Sequence, residues 1–181
     1  LGKFLSRIGA NKTKFVEINK NYSFFIDNHI QGKPANITRQ FGLIHNNELI
    51  GSVSFAPHHR NTKELTLNRL AFKSGVQVIG GASKLIQNSL STLNSDVVTW
   101  SDNRWSTGMI YQQNEFVLDA MVKYDYSYVT SDFKHRKSKQ SMKKTSLVPN
   151  GMTEHEYCKS LGMYRIYDCG KIKWRYIING N

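Results

Sequence analysis

Residues 76–83, Val-Gln-Val-Ile-Gly-Gly-Ala-Ser, constrain this chain more than any other stretch. An apolar, strand-like run, Leu65-Thr-Leu-Asn-Arg-Leu-Ala-Phe72, precedes them, and a helix-like run, Lys84-Leu-Ile-Gln-Asn-Ser-Leu90, follows. A chain that passes from strand to helix through glycine exposes a row of backbone N–H groups at the helix start. Such a row holds a phosphate without a cation. Gly80 and Gly81 permit left-handed dihedrals and a close approach of ligand to backbone. A Gly-Gly pair alone marks an ordinary turn as readily as a phosphate site, so the reading rests on its flanks.

At 181 residues, 39% of them hydrophobic and 12% aromatic, the chain can bury one core. No apolar run approaches a bilayer span and no signal peptide is visible. The chain begins at Leu1 without an initiator Met, which suggests a processed product or a piece of a longer polypeptide. Cys158 and Cys169 are too few for a disulfide framework and lie outside metal-ligand spacings, so a reducing interior and no metal are expected. Lys and Arg number 25 against 13 acids, a formal charge of +12. That excess favours a polyanionic partner, nucleic acid ahead of membrane, since no basic amphipathic helix appears.

Leu1–Lys14 reads as a basic arm or short helix, with Phe4, Leu5 and Ile8 at helical spacing. A brief strand at Val16–Ile18 leads to a helix over Lys20–His29, capped by Asn19 or Asn21. Gln40–Ile44 and Glu48–Phe55 flank His45-Asn-Asn47, a hairpin signal because Asn tolerates positive φ. Glu64–Phe72 is the next strand, followed by the glycine turn and a helix ending near Leu93. Asp96–Ser101 is apolar through its middle, as a buried parallel strand is. A short helix fits Thr107–Asn114, and strands fit Phe116–Ala120 and Tyr124–Thr130. The order predicts a mixed α/β sheet with early antiparallel hairpins and a crossover helix. Beyond Ser131 come a basic segment, a helix signal at Thr153-Glu-His-Glu156, and a hairpin-like run Tyr164–Trp174 turning at Asp168–Lys171.

Gln77-Val-Ile-Gly-Gly-Ala82 resembles the Gln/Arg-x-x-Gly-x-Gly/Ala signature of the GNAT acyltransferase superfamily. The resemblance implies a GNAT fold over residues 15–130, with a basic extension over 131–181 packing on it and ending in a β-hairpin. It implies that acetyl-coenzyme A or a related acyl-coenzyme A binds at Gln77, Val78, Ile79, Gly80, Gly81, Ala82 and Ser83. Tyr111-Gln-Gln-Asn-Glu-Phe116 resembles the family's Tyr-x-x-x-Gly-Phe segment; Glu115 replaces the glycine, and Asn114 is expected to take the left-handed conformation instead. Asn68-Arg-Leu70, Gly80–Ser83, Trp100-Ser-Asp-Asn-Arg-Trp-Ser106 and Gly108-Met-Ile-Tyr111 resemble the Mom-like branch of GNAT-fold phage proteins, which modify adenine in DNA. Segments like His29-Ile-Gln-Gly32 and Tyr164-Arg-Ile-Tyr-Asp-Cys-Gly170 also occur in carboxy-terminal regions of phage homing endonucleases. The implied setting is the cytoplasm of an infected bacterium.

On this basis Tyr111 is a candidate proton donor for a departing thiolate, or else a core tyrosine. Asp102, at the carboxyl end of a buried strand, is a candidate base or amine acceptor, or else a helix cap. Arg69 in an apolar strand needs a partner, and Asp102 is the expected one, in a catalytic or a structural pair. His29 and Gln31 precede a Gly/Pro loop suited to substrate contact, though a lone His is more often structural. Trp100 and Trp105 flank Asp102 and could stack on an extruded base or lie in the core. His58, His59 and Arg60 read as loop residues facing solvent or phosphate. Lys134, Arg136, Lys137, Lys139, Lys143 and Lys144, with Tyr124, Tyr126, Tyr128 and Phe133 ahead, suit DNA binding, or else form a solvated charge run. Two functions follow: a transferase acting on a nucleobase amine, adenine first, and a DNA-binding module without transfer activity. An acetyltransferase for protein or small amines is a third, to which the charge lends little. Oligomeric state is not legible.

Overall fold

The computed structural model describes residues 4–143 and 148–178. Its elements run β1 (Ser6–Gly9), β2 (Lys14–Glu17), α1 (Tyr22–Asn28), β3 (Arg39–His45), β4 (Glu48–Pro57), β5 (Leu65–Phe72) and β6 (Val76–Ile79). There follow α2 (Gly81–Leu90), β7 (Val97–Asp102), α3 (Met109–Gln112), β8 (Val117–Val122), β9 (Tyr126–Val129), β10 (Arg136–Ser138), α4 (Glu154–Ser160), β11 (Tyr164–Tyr167) and β12 (Lys171–Tyr176).

Seven strands form the main sheet in the order β2-β3-β4-β5-β7-β12-β8. Its ladders are antiparallel except where β5 meets β7. Neighbouring residues on a strand face opposite sides, and Ile50 packs under α2 while Leu49 packs beside α1. The two helices therefore cover opposite faces. The larger core gathers Phe41, Leu43, Val53, Phe55, Leu85, Ile86, Val97 and Trp174. Each such side chain contributes about 1.5–3 kcal/mol when fully buried.

Local signals act as their chemistry requires. Asn21 caps α1 by accepting from the Phe24 N–H at 3.0 Å. Asn46 and Asn47 adopt φ of 47° and 62°, closing the β3–β4 hairpin. Thr153 and Glu156 form a reciprocal capping box at the start of α4.

Several expectations change. Residues 6–9 form a strand, not a helix: β1 pairs in parallel with β6. Phe4 and Leu5 are 50% and 93% exposed, so a helical stripe there has nothing to bury against. An extended β1 instead satisfies the open backbone edge of β6. That strand, Val-Gln-Val-Ile, carries alternate β-branched residues and lies between β5 and the glycine turn. Helix α2 begins at Gly81, three residues ahead of the expected Lys84 run, and α3 spans only Met109–Gln112, inside the expected Thr107–Asn114.

The closing run yields two strands on either side of the expected turn. They ladder to different sheets, β11 to β9 and β12 to β7 and β8. The expected boundary at residue 130 thus crosses one hydrogen-bonded sheet, since β12 is one of its inner strands. The basic segment contributes β10, which joins β9 and β11 in a separate three-stranded sheet.

Candidate active site

Strands β5 and β7 pair only at Leu65↔Val97 and Thr66↔Val98. The Thr99 hydroxyl then donates to the Leu67 carbonyl at 3.0 Å, the last link across them. Beyond it a cavity of about 180 Å³ opens between residues 67–70 and 99–102. Helix α3 and residues 29–31 close its sides, so His29, Gln31, Arg69, Asp102, Trp105 and Tyr111 all line it. Six candidates scattered over 83 positions of sequence share one cavity.

Each has a defined setting. Burial pushes the Tyr111 phenol above its ordinary range, opposed by a hydrogen bond with Thr99. It is therefore protonated at neutral pH and able to donate. The Asp102 carboxylate accepts from the Arg104 N–H at 2.9 Å, so it shapes the turn after β7 while lining the cavity. The His29 Nδ1 accepts from the Gln31 N–H at 3.0 Å, which places the proton of the neutral ring on Nε2. Burial first, and the charge of Arg69 second, hold His29 down to about 4. It is an uncharged donor.

Arg69 does not pair with Asp102. Its guanidinium donates to the carbonyls of Gly32 at 2.9 Å, Asn68 at 2.6 Å and Lys33 at 3.3 Å. Three carbonyls meet the hydrogen-bonding demand of a half-buried cation as well as a carboxylate does. Arg69 thereby ties the His29–Lys33 loop to β5 and positions His29.

At the glycine turn Gly80 adopts φ +75°, the left-handed conformation, and caps α2. Gly81 is fixed by the protein itself: a Cβ there would lie 2.7 Å from Val78 Cγ1 and 2.8 Å from the Phe72 ring. Among the described residues no protein group accepts from the N–H groups of Gly81, Ala82 and Ser83. Val78 turns into the core, Gln77 is half-buried opposite Arg7 in the β1 register, and Ile79 is 60% exposed. Lys84 is spent on the Ala10 and Thr13 carbonyls. Asn114, 1% exposed, links this turn to the cavity. Its Nδ2 donates to Ser83 Oγ at 3.2 Å and to the Ile110 carbonyl at 2.7 Å, leaving Oδ1 buried without a partner. Glu115 itself, at φ 67°, takes the left-handed position expected of Asn114.

These features fit a diphosphate-bearing thioester cofactor: a left-handed glycine, three unpartnered N–H groups and a polar bridge to the cavity. No protein-family model matches the chain, and no curated protein does. Solved structures do. A Bacillus subtilis acetyltransferase in complex with CoA aligns over 92% of this chain and 99% of its own, with TM-score 0.53 and 10% identity. The fold is that of the GNAT acetyltransferases. A GNAT family acetyltransferase from Elizabethkingia anophelis, with acetyl-CoA bound, aligns over 93% of this chain and 99% of its own, with TM-score 0.52 and 12% identity. The Escherichia coli ribosomal-protein-S18-alanine N-acetyltransferase aligns over the same shares with TM-score 0.51 and 9% identity. In this GNAT fold the parting of β5 from β7 is the opening at which the site residues gather.

The sequence reading missed two contributors. His58 is 8% exposed, not a solvent-facing loop residue: its ring stacks on Trp100 with centroids 5.7 Å apart, and its Nδ1 accepts from the Asn61 N–H at 3.1 Å. Thr99 joins the strands and touches Tyr111. Nothing in their sequence neighbourhood marks either. Trp105 is 65% exposed and Trp100 half-buried, so neither is a core residue. Lys134, Arg136, Lys137, Lys139 and Lys143 are on the surface around β10; Lys144 lies outside the described residues. Among the described residues no three His, Cys, Asp or Glu are placed to hold a metal, and no helix is long and apolar enough to cross a membrane.

Proposed function

We propose that this protein is an acyl-coenzyme A-dependent transferase of the Mom-like phage branch, acting on a nucleobase amine of DNA, adenine first. The observation that carries the reading is the parting of β5 from β7, with Asp102, His29 and Tyr111 lining the one cavity there and Asn114 linking it to the α2 amino terminus. A bound acyl-coenzyme A would supply the thioester that an amine attacks and a thiolate that departs. The free N–H groups of Gly81–Ser83 would hold its diphosphate. The Asp102 carboxylate would orient the incoming amine and take the proton it loses on attack. The His29 Nε2–H offers an uncharged hydrogen bond where negative charge develops. Tyr111 keeps its proton at neutral pH and would be the group that gives it to a departing thiolate. The formal charge of +12 and the cations around β10 support a polyanionic acceptor; the phage resemblance supports the cytoplasm of an infected host as the setting.

Calorimetry with acetyl-coenzyme A tests the cofactor half: micromolar binding is expected, abolished in Gly80→Val. Mass spectrometry of nucleosides from DNA co-expressed with the protein tests the rest. A mass increment on deoxyadenosine that disappears in Asp102→Ala and falls about 10²–10⁴-fold in rate with Tyr111→Phe is expected. Unmodified nucleosides with wild-type protein would refute transfer to DNA. The second reading, a DNA-binding module of a homing endonuclease, is favoured by the tail Tyr164–Gly170. It is left standing if acetyl-coenzyme A does not bind while DNA does.

A further inference from the structure

Three surface grooves adjoin one another and lead to the cavity between β5 and β7. Asn68 and Trp100 line both the cavity and a groove of about 910 Å³ on its outer side. Arg60, Lys171 and Lys173 lie along that groove, with His58 stacked on Trp100. Lys171 is also in the wall of a second groove, of about 470 Å³, together with Arg136 and Lys139. Arg136 and Ser138 carry the path into a third, of about 660 Å³, where Lys134 and Lys137 stand. Neighbouring grooves share walls, so the path is continuous.

We propose that this path is a track for one strand of DNA, bound by its phosphates from β10 past β12 and delivering a base between Asn68 and Trp100 into the cavity. The proposal rests on the nucleic-acid half of the functional reading above and deepens it. Seven cations stand along the track, from Lys134 to Arg60, against Asp125 and Asp168. Some of the cations are already paired: Lys139 with Asp125 at 3.0 Å, Lys171 with Asp168 at 3.9 Å and Lys173 with Asp119 at 2.6 Å. The Lys139–Asp125 pair is exposed and the Lys171–Asp168 pair is long, so both hold weakly and would give way to phosphate. Arg136 is exposed and is steadied by the hydrogen bond its Nε donates to Ser127 Oγ at 2.6 Å. Trp100 offers a ring face at the point where track and cavity meet, and bases stack on such faces irrespective of sequence. A single strand is the form that fits: the amine of a paired adenine is held within the duplex until its base is extruded.

The test is binding of a fluorescent single-stranded deoxyadenosine-rich oligonucleotide over a range of salt concentrations. Each phosphate contact adds about 0.7 to the slope of log affinity against log salt. Lys134→Glu/Lys137→Glu and, separately, Arg60→Glu/Lys171→Glu should each lower that slope by about 1.4 and weaken binding about 10-fold or more at low salt. Lys14→Glu/Lys159→Glu, the same charge change on exposed sites off the track, should leave the slope unchanged. Equal losses in all three proteins, or no binding by the wild type, would overturn the track. Calorimetry with acetyl-coenzyme A on the same proteins separates the two ideas. Cofactor binding with no oligonucleotide effect removes the track alone; the track effect without cofactor binding removes transfer and leaves the track.

Discussion

His29 shows how a residue with an ordinary sequence context acquires its chemistry from neighbours 40 positions away. Arg69 pins the loop after it, and burial with that charge holds the imidazole down to about 4. In the unfolded chain the same ring titrates near pH 6.5. The folded state thus binds fewer protons between these values, so stability is full above pH 6.5 and is lost as pH falls toward about 4. His29→Gln should flatten the dependence of the urea midpoint on pH across that window. A variant that keeps the wild-type profile would refute the assignment. Glu115 is the opposite case. The motif marks its position for a glycine, yet the left-handed conformation is expected of Asn114; the chain accepts φ 67° at Glu115 although that conformation disfavours a side chain.

Among the elements, β12 decides the most. It inserts between β7 and β8, hydrogen-bonding to both, and thereby turns the carboxyl end of β7 into a wall instead of an edge. Trp174 anchors it: the ring is 6% exposed, its Nε1 donates to Ser101 Oγ at 2.9 Å, and it packs 6.3 Å from the Tyr111 ring centroid. Gly108 at φ +77° passes so close that a Cβ would sit 2.4 Å from that nitrogen. Trp174→Ala should cost about 3–5 kcal/mol in equilibrium unfolding and loosen the Tyr111 wall. A loss below about 1 kcal/mol would show that β12 is not held by this ring. The run Tyr164–Trp174 reads as a local hairpin because periodicity reports strands and turns, not partners. Its arms are drawn to different ladders, β11 to β9 and β12 to β7 and β8.

For the whole molecule, the carboxy-terminal segment is part of the fold. Arg175 on β12 holds Glu64 at 2.7 Å and Asp119 at 3.3 Å, tying the turn before β5 and the β8 strand to the carboxy terminus. Residues 15–130 produced alone would lack an inner strand of the main sheet and one side of the core. That fragment should show no cooperative urea transition and no near-ultraviolet dichroism, whereas the full chain shows both. A cooperatively folding fragment would contradict this account.

The sequence alone determined the strand at 65–72, the glycine turn into a helix, the Asn-Asn hairpin and the starts of α1 and α4, the first to within Asn19 or Asn21 as its cap. These depend on neighbours within a few positions, where φ preference, alternation and capping act. Only the tertiary structure decided that β1 is a strand, that Arg69 serves three carbonyls instead of Asp102, that His58 backs Trp100, and that β12 completes the sheet. Each of these is a pairing across tens of residues, and such pairings are chosen by which backbone edge or buried charge remains unsatisfied once the rest of the chain has folded.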